Sequence, residues 1–113
     1  LVDFDMKFGH RRDVDGYADA MTTFDLELGE FLSKMKSDDL LMITADHGCD
    51  PAAPGTDHTR EYVPLLVYGQ KIRPGINLGT CPTFSVIAAT LAEIFAVEYK
   101  TRGESFYQQI KRY

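Results

Sequence analysis

Residues Leu40–Asp50 read LLMITADHGCD. The run from Leu40 to Ile43 has no polar interruption, the pattern of a short strand buried on both faces, as in a parallel sheet. The run ends at Thr44, and a carboxylate and an imidazole, Asp46 and His47, follow side by side before Gly48. Adjacent side chains of an extended strand point to opposite faces. For both to face one point the backbone must leave the strand here, and Gly48 makes that turn easy.

Upstream, the apolar residues Val14, Tyr17, Ala18, Met21, Phe24, Leu28, Phe31, Leu32 and Met35 recur in steps of three and four. That spacing predicts an amphipathic helix over 14–35, with a core-facing stripe of about six turns. Asp13 is its N-cap, and Asp25, Glu27 and Glu30 fall on the wet side. Leu1–Phe4 reads as a strand reaching its carboxyl end at Asp5, and 6–12 as a loop turning at Gly9. Downstream, residues 46–62 contain Gly48, Pro51, Pro54 and Gly55 and read as one long loop, a kind that is usually functional. Val63–Tyr68 is a further short strand, with Pro64 marking an edge or entry position. After a turn-rich stretch at 70–80, Pro82 suits the first turn of a helix with Thr80 or Cys81 near its cap. Its buried face would be Phe84, Ile87, Ala88, Leu91, Ile94 and Phe95, and a last short helix covers Glu104–Ile110. The order β-α-β-loop-β-α predicts an α/β layer sandwich. In it, strands 1–5, 40–45 and 63–68 lie parallel, and the helix over 14–35 crosses right-handedly between the first two.

The 113 residues are 44% hydrophobic and 26% charged, an ordinary composition for one globular domain. A net charge of -5 argues against nucleic acid or an anionic membrane as partner. No apolar stretch approaches the roughly 20 residues that span a bilayer, and no signal peptide is visible. Cys49 and Cys81 form neither a CxxC nor a disulfide framework, which suits free thiols in a reducing cytoplasm. The chain opens as if a strand were already under way, without an initiator Met, and so reads as a fragment or the end of a longer chain.

The polar residues fall into a pattern on that skeleton. Asp5 ends the first strand and His10 follows in its loop. Asp46 and His47 end the next, and His58 lies in the loop after it. In open α/β sheets, sites form outside the carboxyl ends of the strands. Taken singly, such an Asp is most often a turn former or cap, and such a His a surface residue. Taken together, all 3 histidines sit at one predicted edge with acids beside them, and Asp with His is a ligand mixture that zinc and manganese accept. Arg11 and Arg12 are either solvated charges or phosphate contacts.

Three stretches, VDFDMKFGHRRD from Val2, ITADHGCDPAAPGTDHTREYVPLLVYG from Ile43 and PTFSVIAATLAEIF from Pro82, resemble the C-terminal part of bacterial phosphopentomutases, members of the alkaline phosphatase superfamily. The short TADHG element is shared across that superfamily, which includes cofactor-independent phosphoglycerate mutases. The continuation through DHTRE favours the pentomutases. The resemblance implies part of an alkaline-phosphatase-like α/β core, a mostly parallel sheet flanked by helices. It also implies two divalent metals per full enzyme, usually manganese, and interconversion of (deoxy)ribose 1-phosphate and 5-phosphate through a phosphothreonine. By motif, Asp5, His10 and His58 would hold one metal, and Asp46 and His47 would help hold the other. Thr44, Thr56 and Thr59 do not match the nucleophile's motif. The nucleophilic threonine, a further aspartate ligand and the cap domain would belong to the rest of the parent chain, leaving no catalytic nucleophile here. Phe8 stands where the family has tyrosine. Two other readings are another reaction of the superfamily, a phosphoglycerate mutase or a phosphatase, and a non-catalytic metal-binding module.

Overall fold

The computed structural model describes residues 1–113, which divide into two compact units, Leu1–Val67 and Tyr68–Tyr113. The first unit begins with a π-helical turn over Phe4–Gly9. The strand expected over Leu1–Asp5 does not form. A strand needs a neighbour to take up its backbone N–H and C=O groups. Here the groups are satisfied locally instead: the Met6 N–H donates to Val2 O, His10 N–H to Asp5 O and Asp13 N–H to Phe8 O, each at 2.9 Å. The wide bonds from His10 to Asp5 and from Asp13 to Phe8 are of the π type, which recurs at functional sites. They bring Asp5 and His10 to the two ends of one turn.

Helix α1 (Val14–Lys34) follows, and Asp13 caps it, its carboxylate accepting from the Gly16 N–H at 2.9 Å. Tyr17, Phe24, Leu28 and Leu32 are half-buried along one stripe, while Asp25, Glu27 and Glu30 are exposed. Phe4 packs edge-on against Tyr17 and Phe24, with ring centres 5.4 and 6.3 Å apart. Those contacts lock the π turn to the helix. Met21 and Phe31 stay more than half exposed, so only part of the predicted apolar stripe is covered. A turn in which the Lys36 N–H donates to the Asp39 carboxylate at 2.8 Å then leads into β1 (Leu41–Thr44).

Strand β1 pairs with β2 (Leu65–Tyr68), which starts directly after Pro64. The pair is antiparallel, a correction to the parallel sheet expected from the sequence. The physical reason lies in the connection. A parallel pair needs a crossover, usually a helix, and residues 45–64 contain none. They fold back on themselves instead, and an antiparallel bridge between Gly48 and Thr59 continues the pairing beyond the strand ends.

The second unit holds α2 (Ser85–Ile94) and α3 (Tyr107–Ile110). Helix α2 begins after Pro82 rather than at it, because the Thr83 hydroxyl accepts from the Ser85 N–H at 3.3 Å and forms a local turn. Its buried face is also offset from the predicted one. Val86 and Thr90 are buried, whereas Phe84 and Phe95 are more than half exposed. The reason is the packing partner: Gly103 lies against the backbone of Ser85 and Val86, and Phe106 and Ile110 fill the space beside it. An antiparallel bridge between Ile72 and Lys111 ties the turn-rich stretch to the chain end.

Thr90 is fully buried, donating to Val86 O at 2.7 Å and accepting from the Phe106 N–H at 3.1 Å. Replacing it by valine keeps the shape but orphans a buried N–H, a cost of about 1–3 kcal/mol. Denaturant unfolding of Thr90→Val should show that loss, and an unchanged midpoint would refute the role given to this hydroxyl. Nearby, hydrogen bonds from Ser105 and Gln108 hold the Glu93 carboxyl below its usual range. That small contribution to stability is present at neutral pH and fades as acid protonates Glu93.

Candidate metal centre

The π turn presents Asp5 and His10, and the long loop presents His58. Their candidate donor atoms all lie within 4.8 Å of one another, a group able to hold a metal ion. Asp5 Oδ1 is the hub, with His10 Nε2 and His58 Nε2 each 3.4 Å away. It is buried and has no hydrogen-bond partner. The two imidazole contacts are thus close approaches rather than hydrogen bonds.

The chemistry of His10 sharpens the point. Its Nδ1–H donates to the Thr56 carbonyl. A carbonyl can only accept, so the neutral ring keeps its Nε2 lone pair free. That lone pair faces a carboxylate oxygen, an arrangement that repels unless a cation lies between. With ligand bonds of about 2.1 Å, the edge of a tetrahedral metal site is about 3.4 Å. Both Asp5–His separations have that length. An orphaned buried oxygen, two imidazole nitrogens and matching separations together fit a divalent cation.

His47 joins the cluster differently. Its ring stacks on that of His58, centres 3.6 Å apart and planes 14° from parallel, while His10 sits 5.1 Å from His58. The His47 Nδ1–H donates to Gly48 O at 2.9 Å. Asp46 is almost wholly exposed, with its carboxylate 3.7 Å from His47 Nε2. The structure therefore gathers Asp5, His10 and His58, sets His47 against them, and leaves the Asp46 side chain in solvent. Arg11 and Arg12 are exposed, and Arg12 has a positive φ of 56°.

Other parts of the site were not anticipated from sequence. The Thr56 carbonyl that orients His10 is a backbone group and leaves no residue signature. Gly9, read as a turn residue, is instead a close-approach residue: any side chain there would collide with the Cys49 sulfur. Tyr17 and Cys49 line the same region. Burial, then the neighbouring Asp5, Glu61 and Asp50 carboxylates, raise the Cys49 thiol above its usual 9.0. Burial, then Cys49 and Asp5, raise the Tyr17 phenol above 10.0. A raised folded-state value means stability that is complete below the unfolded value and lost as pH climbs through the folded one. The metal-free chain should therefore melt at progressively lower temperature above about pH 9, and Cys49→Ala should flatten the onset. An equal decline in Cys49→Ala would assign the effect elsewhere.

Gly48 is buried where the two arms of the loop meet. A Cβ there would fall 2.6 Å from the Glu61 carboxylate, 2.7 Å from the Glu61 nitrogen and 2.7 Å from the Thr59 oxygen. Two of these atoms are backbone and cannot swing aside. Gly48→Ala should cost about 1–3 kcal/mol in denaturant unfolding. A neutral result would mean the arms are not in contact.

The family model of the metalloenzyme superfamily matches residues 1–99. The chain belongs to the metalloenzyme superfamily. The chain is 56% identical over 109 residues to the phosphopentomutase of Lachnoclostridium phytofermentans, covering 96% of this chain and 28% of that one. It is 55% identical over 112 residues to the phosphopentomutase of Carboxydothermus hydrogenoformans, covering 99% and 29%. It is 57% identical over 110 residues to that of Caldanaerobacter subterraneus subsp. tengcongensis, covering 97% and 28%. The chain thus spans little more than a quarter of the length of these relatives. No helix is long and apolar enough to cross a membrane.

Proposed function

We propose that these residues are the C-terminal portion of the metal-binding core of a phosphopentomutase, and that the parent chain interconverts (deoxy)ribose 1-phosphate and 5-phosphate. The observation that carries the reading is the orphaned Asp5 Oδ1 with two imidazole nitrogens at 3.4 Å, in a chain about 55% identical to curated phosphopentomutases. Asp5, His10 and His58 would hold one divalent ion, manganese by preference. Asp46 and His47 would contribute to a second, after Asp46 turns in from solvent.

Paired divalent ions in such a site stabilise the attacking and leaving oxygens of an in-line phosphoryl transfer. The residues of this chain supply the frame. Asp5 contributes the negative charge that draws cations in, and the two imidazoles fix their position without adding charge. The Thr56 carbonyl holds His10 in the tautomer that leaves Nε2 free. The phosphoryl-accepting threonine and the cap that grips the sugar phosphate would come from the rest of the parent chain. The two free thiols, Cys49 and Cys81, suit a reducing cytoplasm.

The test is ribose 1-phosphate conversion by the parent chain with manganese. Turnover that a chelator abolishes and manganese restores is expected. Hydrolysis to free phosphate, or activity on a phosphoglycerate alone, would move the chain to another reaction of the superfamily.

A further inference from the structure

We propose that Thr59 is a positioning residue of the metal site, whose hydroxyl ties the entrance of the 50–58 loop to its exit and so holds both His58 and the carbonyl that orients His10. The inference rests on the metal reading above. Thr59 is half-buried and sits opposite Gly48 in the antiparallel bridge, its N–H donating to Gly48 O at 3.2 Å. That backbone bond is long. The shorter link is made by the side chain: Thr59 Oγ1 accepts from the Asp50 N–H at 2.7 Å. Asp50 in turn anchors the start of the loop, its carboxylate accepting from the Ala52 N–H at 2.8 Å and its carbonyl from the Ala53 N–H at 3.1 Å.

The loop between these anchors is built to be closed rather than self-supporting. Gly55 has a φ of +95°, with nothing near its α-carbon for a side chain to meet. Thr56, Asp57 and His58 are exposed. Beyond Asp50, the cross-links that fix the exit are the Thr59 bonds, the stacking of His58 on His47 and the Thr56 carbonyl that accepts from His10. Two of the three candidate ligands therefore depend on where residues 56–58 stand. His58 and His47 are diagonal neighbours across the Gly48–Thr59 bridge, the relation that brings rings together on one face. Loss of the Oγ1 link would let the exit arm slide while leaving every ligand in the sequence.

The experiment is a manganese titration of the parent chain, read by the electron paramagnetic resonance signal of free ion. Wild type, Thr59→Val and Thr59→Ser are compared, with metal-free thermal melts as a fold control. Outer-sphere partners of metal ligands typically change affinity 10–100-fold. Thr59→Val should weaken manganese binding by about that factor, and Thr59→Ser, which keeps the acceptor oxygen, should restore it to within a few-fold. Should Thr59→Val not fold, Thr59→Ala against Thr59→Ser makes the same comparison. If wild type binds and Thr59→Val binds equally, the positioning role is wrong and the metal site stands. Equal losses in the valine and serine variants would mean that keeping the acceptor oxygen does not keep the site, and would overturn the role of the hydroxyl. No manganese binding by wild type would overturn the metal reading itself.

Discussion

His58→Ala in the parent chain should reduce manganese affinity by more than the roughly 100-fold that an outer-sphere partner costs, and ribose 1-phosphate conversion should fall with it. His58 supplies one of the two imidazole nitrogens 3.4 Å from the buried Asp5 oxygen. Removing it leaves that carboxylate with one imidazole neighbour and opens the cluster to water. It also removes the ring stacked on His47, so the second half of the site loses its support. Because the side chain is 48% exposed, metal-free stability should change little. A large fall in metal-free melting temperature with retained metal affinity would make His58 a structural residue. The paired measurement separates the two roles.

The second large effect concerns the chain by itself. These 113 residues alone should show no sustained mutase turnover with manganese, although they should bind a divalent ion. Asp5, His10 and His58 make up one candidate set, but the other half has only His47 in place and a solvent-facing Asp46. On the proposed reading, Thr44, Thr56 and Thr59 are not the nucleophile and the phosphoryl-accepting threonine lies in the rest of the parent chain; without such a group no step can pass through a phosphoenzyme. Nor does the candidate site hold a sugar phosphate away from water during its reorientation, so phosphate released there would be lost. Sustained conversion by these residues alone would require a nucleophile among them and would sink the proposal that the remainder of the parent supplies it.

Helix α1 was legible because two independent signals agree: apolar steps of three and four, and an Asp13 cap whose bond to Gly16 is present. The two strands were legible from their unbroken apolar runs. Their relative direction was not, since hydrophobicity does not encode which way a partner runs. The connection decides that, and the 45–64 stretch folds back without a helix. The start of the chain misled for a related reason. Leu1–Phe4 has a strand's composition, but a strand exists only with a neighbour, and local π-type bonds satisfy the backbone instead. On α2 the predicted face was offset: Ile87, Ala88 and Ile94 are half-buried, but the close approach of Gly103 puts Val86 and Thr90 deepest and leaves Phe84, Leu91 and Phe95 exposed.

The candidate site was partly legible in side-chain chemistry. Histidine is scarce here, and each copy falls in a loop beside an acid. What the sequence hid were its backbone components, the Thr56 carbonyl and the Gly48–Thr59 bridge, together with the thiol of Cys49 pressed against Gly9. Backbone groups carry no residue-specific mark, and a threonine that accepts one hydrogen bond looks like any other loop threonine.

The most direct measurement is a crystal structure of the chain soaked in manganese, with data collected at the manganese absorption edge. An anomalous peak bonded to Asp5 Oδ1, His10 Nε2 and His58 Nε2 at about 2.0–2.2 Å is the expected result. An ordered loop with His58 turned away from His10 and no anomalous peak beside Asp5 would contradict it.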